Sequence, residues 1–129
     1  MKRIGLIDNF SRHELSSNRE LTPTAEEIMR MTGGNTGNMA FVHGIRGILR
    51  NPLTRIEWDS NPITVRSQVD LLVICCANQI GEHVSLDYWA QRIAAFQLPV
   101  VLLGLGAQSD DYDSIFNIPE GTKDFLQCV

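Results

Sequence analysis

The apolar runs Leu71 to Ala77 and Pro99 to Ala107 leave this chain few ways to fold. The first lies within VDLLVICCAN, bounded by Asp70 and Asn78, and its lack of alternation is the signature of a strand covered on both faces. The second, within LPVVLLGLGAQ, reads as another buried strand running into a glycine turn. Between them Leu86, Trp89, Ile93 and Phe96 step by three, four and three, which marks one face of a helix. Ser85 is placed to cap that helix, and Asp87 lies in its first turn, where the helix dipole favours a negative charge. Strand, helix and strand at this spacing predict a right-handed βαβ unit with parallel strands. The fold class expected is α/β, a Rossmann-like parallel sheet with helices on both faces.

The remaining segments fill out that plan. RIGLID, Arg3 to Asp8, is a candidate first strand, and Asn9 to Arg19 is polar without periodicity and reads as loop. Thr24 followed three residues later by Glu27 has capping-box spacing, and Gly33 is a stop signal, so a two-turn helix is expected there. From Gly37, the apolar residues Phe41, Ile45, Ile48 and Leu49 mark one face of a longer helix that Asn51-Pro52 should end. Gly44 and Gly47 each cost about 1 kcal/mol relative to alanine in a helix interior, which suggests close approach to a neighbouring backbone. TRIEWDS alternates at Ile56 and Trp58 and predicts a short strand near a sheet edge. Glu120-Gly121-Thr122 with Lys123 to Leu126 predicts a final helix of one or two turns. One Rossmann-like domain over residues 1–129 is expected, since 129 residues with 43% hydrophobic content suffice for a single core.

Charge and cysteine usage exclude several classes. Eleven Lys and Arg against 15 Asp and Glu make a net charge of -4, with no electrostatic footprint for nucleic acid or an acidic membrane surface. Both apolar runs fall far short of the roughly 20 residues needed to cross a bilayer. The start MKRIGLIDNF is too poor in apolar residues for a signal peptide, so a cytoplasmic location is expected. Three cysteines, two of them adjacent inside a strand, argue against a disulfide framework. Without CxxC spacing, and with histidines scattered at 13, 43 and 83, a structural zinc site has no support, and no metal or cofactor is expected.

In an open parallel sheet, ligands bind beyond the carboxyl ends of the strands. Three loops belong there: GGNTGN, ANQIGEHVS and GLGAQS. They supply Asn35, Thr36, Asn38, Asn78, Gln79, Glu82, His83 and Gln108, a set dominated by amides and hydroxyls that suits a sugar better than a polyphosphate. GLGAQS has Ser109 where a dinucleotide fingerprint needs its third glycine, and GGNTG lacks the Gly-Lys-Ser/Thr finish of a P-loop. Glu82 and His83 are candidate acid and base groups, because a carboxylate can hold the charge of a neighbouring imidazole; adjacent loop residues that simply face solvent are the competing reading. His43 reads as a helix-surface or packed residue, Cys75 and Cys76 as inert core thiols, and Trp58 and Trp89 as packing residues. Asp110 to Asp113, DDYD, is either an exposed acidic loop or a metal site.

Taken in order, GGNTGNMAF opening a helix, VDLLVICCANQIGE and LPVVLLGLGAQ resemble the amino-terminal part of the polysaccharide pyruvyl transferase family. The resemblance covers roughly residues 33 to 126. It implies half of a two-domain, glycosyltransferase-B-type fold and an enzyme that moves pyruvate from phosphoenolpyruvate onto a pair of sugar hydroxyls as a ketal, in cell-surface polysaccharide synthesis. It further implies that Asn35, Gly37, Asn38, Asn78, Gly104, Gly106 and Gln108 are binding-loop positions. The family's donor-gripping arginines and histidines lie mainly in its second half, so the chain corresponds to the acceptor side. Two other readings stay open: a non-catalytic Rossmann-like binding or interaction module, self-associating through an exposed sheet edge, and a nucleotide-sugar half-domain. Each pocket-forming reading requires that the predicted strands run side by side in one direction, so that their polar tips gather.

Overall fold

The computed structural model describes residues 2–8, 24, 26, 36–77, 79–107, 117–127 and 129. The chain divides into two units, Met1–Asp8 with Asn51–Val129, and Asn9–Arg50. The first unit contains the sheet: β1 (Ile4–Ile7), β2 (Leu53–Arg55), β3 (Leu71–Cys75) and β4 (Val100–Leu103), all parallel, in the order β2-β1-β3-β4. Leu6 pairs with Val73, and Val73 with Val101, so the apolar centres of three strands lie level. The chain passes from β1 outward to β2 and then back across β1 to β3, which makes the β1/β3 junction the topological switch point.

The central strand β3 is buried almost end to end, as its uninterrupted apolar run predicts. Leu72, Ile74 and Cys76 face a core shared with Val65, Val69, Leu86, Ala90, Ile93, Phe96 and Phe125, while Val73 and Cys75, which alternate with them, are buried on the other face. Each such aliphatic residue removed from water contributes about 1.5–3 kcal/mol, which is why β3 anchors the sheet. Gly5 in β1 lets this core close: a Cβ there would come within 2.7 Å of Leu72 Cδ2 and 2.9 Å of Ile56 Cγ1.

Among the described residues three helices pack in this unit. α2 (Pro62–Gln68) starts at Asn61, whose side chain accepts from the backbone N–H groups of Ile63 (2.9 Å) and Thr64 (3.4 Å), with Pro62 in the first turn where its missing donor costs nothing. α3 (Asp87–Phe96) buries Ala90, Ile93 and Phe96, and it ends at Gln97, held in the left-handed conformation at φ 53°. Arg66 of α2 donates to the carbonyls of Ala95 (2.8 Å) and Phe96 (3.3 Å), satisfying the last turn of α3. α4 (Glu120–Gln127) is pinned to the loop before α3 by buried Thr122, whose hydroxyl donates to the carbonyl of Val84 at 2.7 Å. In the second unit, α1 (Thr36–Ile48) buries Val42 and Ile45.

Several expectations need correction. β4 is an edge strand and only partly buried, with Val101 exposed; an apolar run reports the composition of a strand but not how many neighbours it has. β2 does lie at an edge, but it ends at Arg55, before the alternation at Ile56 and Trp58 begins. Helix α2, absent from the sequence reading, carried a clear Asn-Pro start signal. On α1 the buried stripe runs through Val42 and Ile45, so Ile48 projects into solvent. Among the described residues a Cβ at Gly44 or Gly47 would meet nothing within 4 Å, so no close approach to a described neighbouring backbone accounts for them. Leu86, not Ser85, occupies the cap position of α3. The loop expected over Asn9 to Arg19 and DDYD lie outside the described residues, as does the helix expected from Thr24 apart from Thr24 and Glu26.

Candidate functional site

Parallel strands send all their carboxyl ends to one edge, and two of the three predicted loops meet there. Beyond the ends of β3 and β4 the main chains continue to pair: the Cys76 N–H donates to Leu103 O at 2.8 Å, and the Ile80 N–H donates to Gly106 O at 3.0 Å. An isolated parallel bridge joins Ile80 to Ala107. Gln79 therefore sits in a loop held beside the one carrying Gly104 and Gly106. Its side-chain amide donates to Ala77 O at 2.8 Å and fixes its own turn. Gly104 turns the chain out of β4 at φ 69°, a conformation that costs other L-residues about 1–2 kcal/mol.

Glu82 and His83 lie in the loop after Ile80, both exposed, with Glu82 Oε1 and His83 Nε2 3.5 Å apart in solvent. Among the described residues no third side chain is hydrogen-bonded to that pair, and its exposure matches the solvated-loop alternative. Thr36, Gly37 and Asn38 form the first turn of α1, as GGNTGN predicts, and Gly37 is exposed. Asn35, Asn78 and Gln108 lie outside the described residues. His43 is exposed on its helix, and both tryptophans pack against the core.

The sequence reading missed the charge cluster at the neighbouring strand ends. Asp8, directly after β1, is buried, and Arg55, the last residue of β2, forks onto it with Nη2 to Oδ1 at 2.9 Å and Nε to both oxygens at 3.2 Å. Arg55 Nη1 also meets Glu57 Oε1 at 2.6 Å. A guanidinium between two carboxylates leaves Asp8 engaged as an acceptor rather than poised as a base. No local pattern announces this pair, because 47 residues separate its members. Cys76, at the rim of β3, is excluded as a nucleophile: burial, reinforced by the neighbouring Cys75, pushes its thiol up to about 12. Among the described residues no group of three or more His, Cys, Asp or Glu is arranged to hold a metal ion, and no buried side-chain nitrogen or oxygen lacks a hydrogen-bond partner.

Fold and rim together define a Rossmann-like α/β chain whose β3 and β4 loops carry backbone groups, the Gln79 amide and the exposed Glu82 and His83. No known protein family, curated protein or solved structure matches it. No helix among the described residues is long and apolar enough to cross a membrane.

Proposed function

We propose that this chain forms the acceptor-binding side of a polysaccharide pyruvyl transferase-like protein of the cytoplasm, with the β3/β4 rim taking the sugar. The observation that carries the reading is the Ile80–Ala107 bridge, which brings two of the three resembling motifs into one rim at the carboxyl edge of a parallel sheet. Amides and backbone groups are matched to sugar hydroxyls, which both donate and accept. In the reaction one hydroxyl oxygen bonds to the enol carbon of phosphoenolpyruvate while a proton joins the methylene carbon. The second hydroxyl oxygen then displaces phosphate to close the ketal. The described residues assign no donor-binding group for that step.

Titrating hexopyranosides into isotopically labelled protein tests the binding, with saturable shifts expected at Gln79, Gly104 and Gly106. Phosphate release from phosphoenolpyruvate in the presence of a mixed polysaccharide acceptor tests the chemistry. Silence at all three residues with every sugar overturns the reading. The solvent-facing Glu82–His83 pair favours a second reading, a saccharide-binding module without catalysis. Binding with a flat phosphate trace selects it.

A further inference from the structure

Beside the rim stands an aromatic pair that nothing above uses. Trp58 and Trp89 stack with ring centroids 4.5 Å apart and planes inclined by 22°, and Trp89 meets Phe125 edge-on at 5.7 Å. Phe125 is fully buried, whereas both indoles remain partly exposed. Trp58 sits in the turn that leaves the carboxyl end of β2, and Trp89 lies in the first turn of α3, which the chain enters directly from the loop carrying Glu82 and His83. The stack is therefore at the same edge of the sheet as the β3/β4 loops.

The turn carrying Trp58 is held by several hydrogen bonds. Arg92, three residues beyond Trp89, donates from Nε to the carbonyl of Trp58 and from Nη2 to that of Ser60, each at 2.5 Å, while its guanidinium lies 4.9 Å over the Phe96 ring. The turn is closed again by the Ser60 N–H to Glu57 O at 3.1 Å and the Glu57 N–H to Ser60 Oγ at 3.1 Å. Two bonds from the Arg92 side chain to the main chain of the turn hold Trp58 in place against Trp89 before any ligand arrives, which lowers the ordering cost of binding. Their sequence neighbours Glu57, Asp59 and Tyr88 are exposed.

We infer that the Trp58–Trp89 stack is a sugar-stacking platform, on which the C–H face of a pyranose ring lies while its hydroxyls reach the polar loops. The ring oxygens polarise those C–H bonds, and the indole π face is negative, so the contact is electrostatically matched as well as apolar. This rests on the saccharide reading above and adds where the ring is held.

Trp58 and Trp89 are the chain's two tryptophans, so intrinsic emission reports the platform alone. Titration with hexopyranosides and their oligomers should change emission saturably, with the midpoint matching the shifts at Gln79, Gly104 and Gly106. Trp58→Ala should weaken affinity about tenfold and Trp58→Phe less, a loss equivalent to about 1.4 kcal/mol. Arg92→Lys, which keeps the charge but loses the fork, should weaken it while leaving the thermal transition cooperative; it also serves if Trp58→Ala does not fold. Shifts at the rim with unchanged tryptophan emission, or wild-type affinity in Trp58→Phe and Arg92→Lys together, overturn the platform and leave the saccharide reading standing. Absence of any response at rim and tryptophans overturns both.

Discussion

Strand β1 is fastened to its neighbours at both ends by an aspartate–arginine fork, and the two forks differ in environment far more than in geometry. At the carboxyl end Arg55 meets Asp8 at 2.9 Å, with side chains 10% and 1% exposed. At the amino end Arg3 meets Asp70 at 2.8 Å, with side chains 50% and 38% exposed. Similar distances do not mean similar energies. Water and salt screen the outer pair, whereas the inner pair has shed its hydration and depends on its partner for compensation. The inner fork also has a functional consequence. It fills the described rim over β1 and β2 with its own charges.

The largest test of that contrast is Asp8→Ala. It removes one of the carboxylates that meet the buried Arg55 guanidinium, and should lower unfolding free energy by about 3–5 kcal/mol in urea denaturation. Replacing both partners together, Asp8→Leu with Arg55→Met, should recover most of the loss, because an apolar pair needs no compensation. A single variant within about 0.5 kcal/mol of wild type, the usual range for surface substitutions, breaks the comparison. An intermediate effect is expected at the β3/β4 rim. Gly104→Ala forces a side chain into φ 69° and should cost about 1–2 kcal/mol in the same measurement, with the shifts at Gln79 on sugar titration weakened in proportion.

These effects separate what the amino-acid pattern announces from what it conceals. Strand β3 and helix α3 were legible because their signals are local: an unbroken apolar run, and apolar residues at steps of three and four. Their parallel pairing with β4, and hence the meeting of the Gln79 and Gly106 loops, followed from connection length. The partial exposure of β4 did not follow, because strand order is a property of the whole chain. For the same reason Asp8 and Arg55 passed unnoticed, each an ordinary charged residue at a strand end until the sheet sets them side by side. Trp58 and Trp89 read as packing residues and do pack against the core, but neither residue alone discloses the stack or the hold of Arg92 on its turn. Helix α2 is a different kind of miss, since Asn61 and Pro62 marked its start.

The outer fork yields the smallest effect and the one with a definite pH signature. Arg3 donates to Asp70 from Nη2 at 2.8 Å, from Nε at 3.4 Å and from its backbone N–H at 2.7 Å, and the Arg3 side chain, followed by that backbone donor, holds the Asp70 carboxyl down to about 2 against an ordinary 3.8. A carboxyl whose folded value lies below its unfolded one favours the folded state wherever it is ionised. The contribution is therefore complete above the unfolded value and disappears as pH falls through the folded one. The gap in melting temperature between wild type and Asp70→Asn should be widest near neutral pH, shrink through the window from 3.8 to about 2, and close below it. Added salt at neutral pH should narrow the same gap, since both side chains are reachable by counterions, while the loss in Asp8→Ala should change little. A gap at Asp70 that ignores both acid and salt would mean that the two forks belong to one energetic class, and exposure would no longer explain their difference.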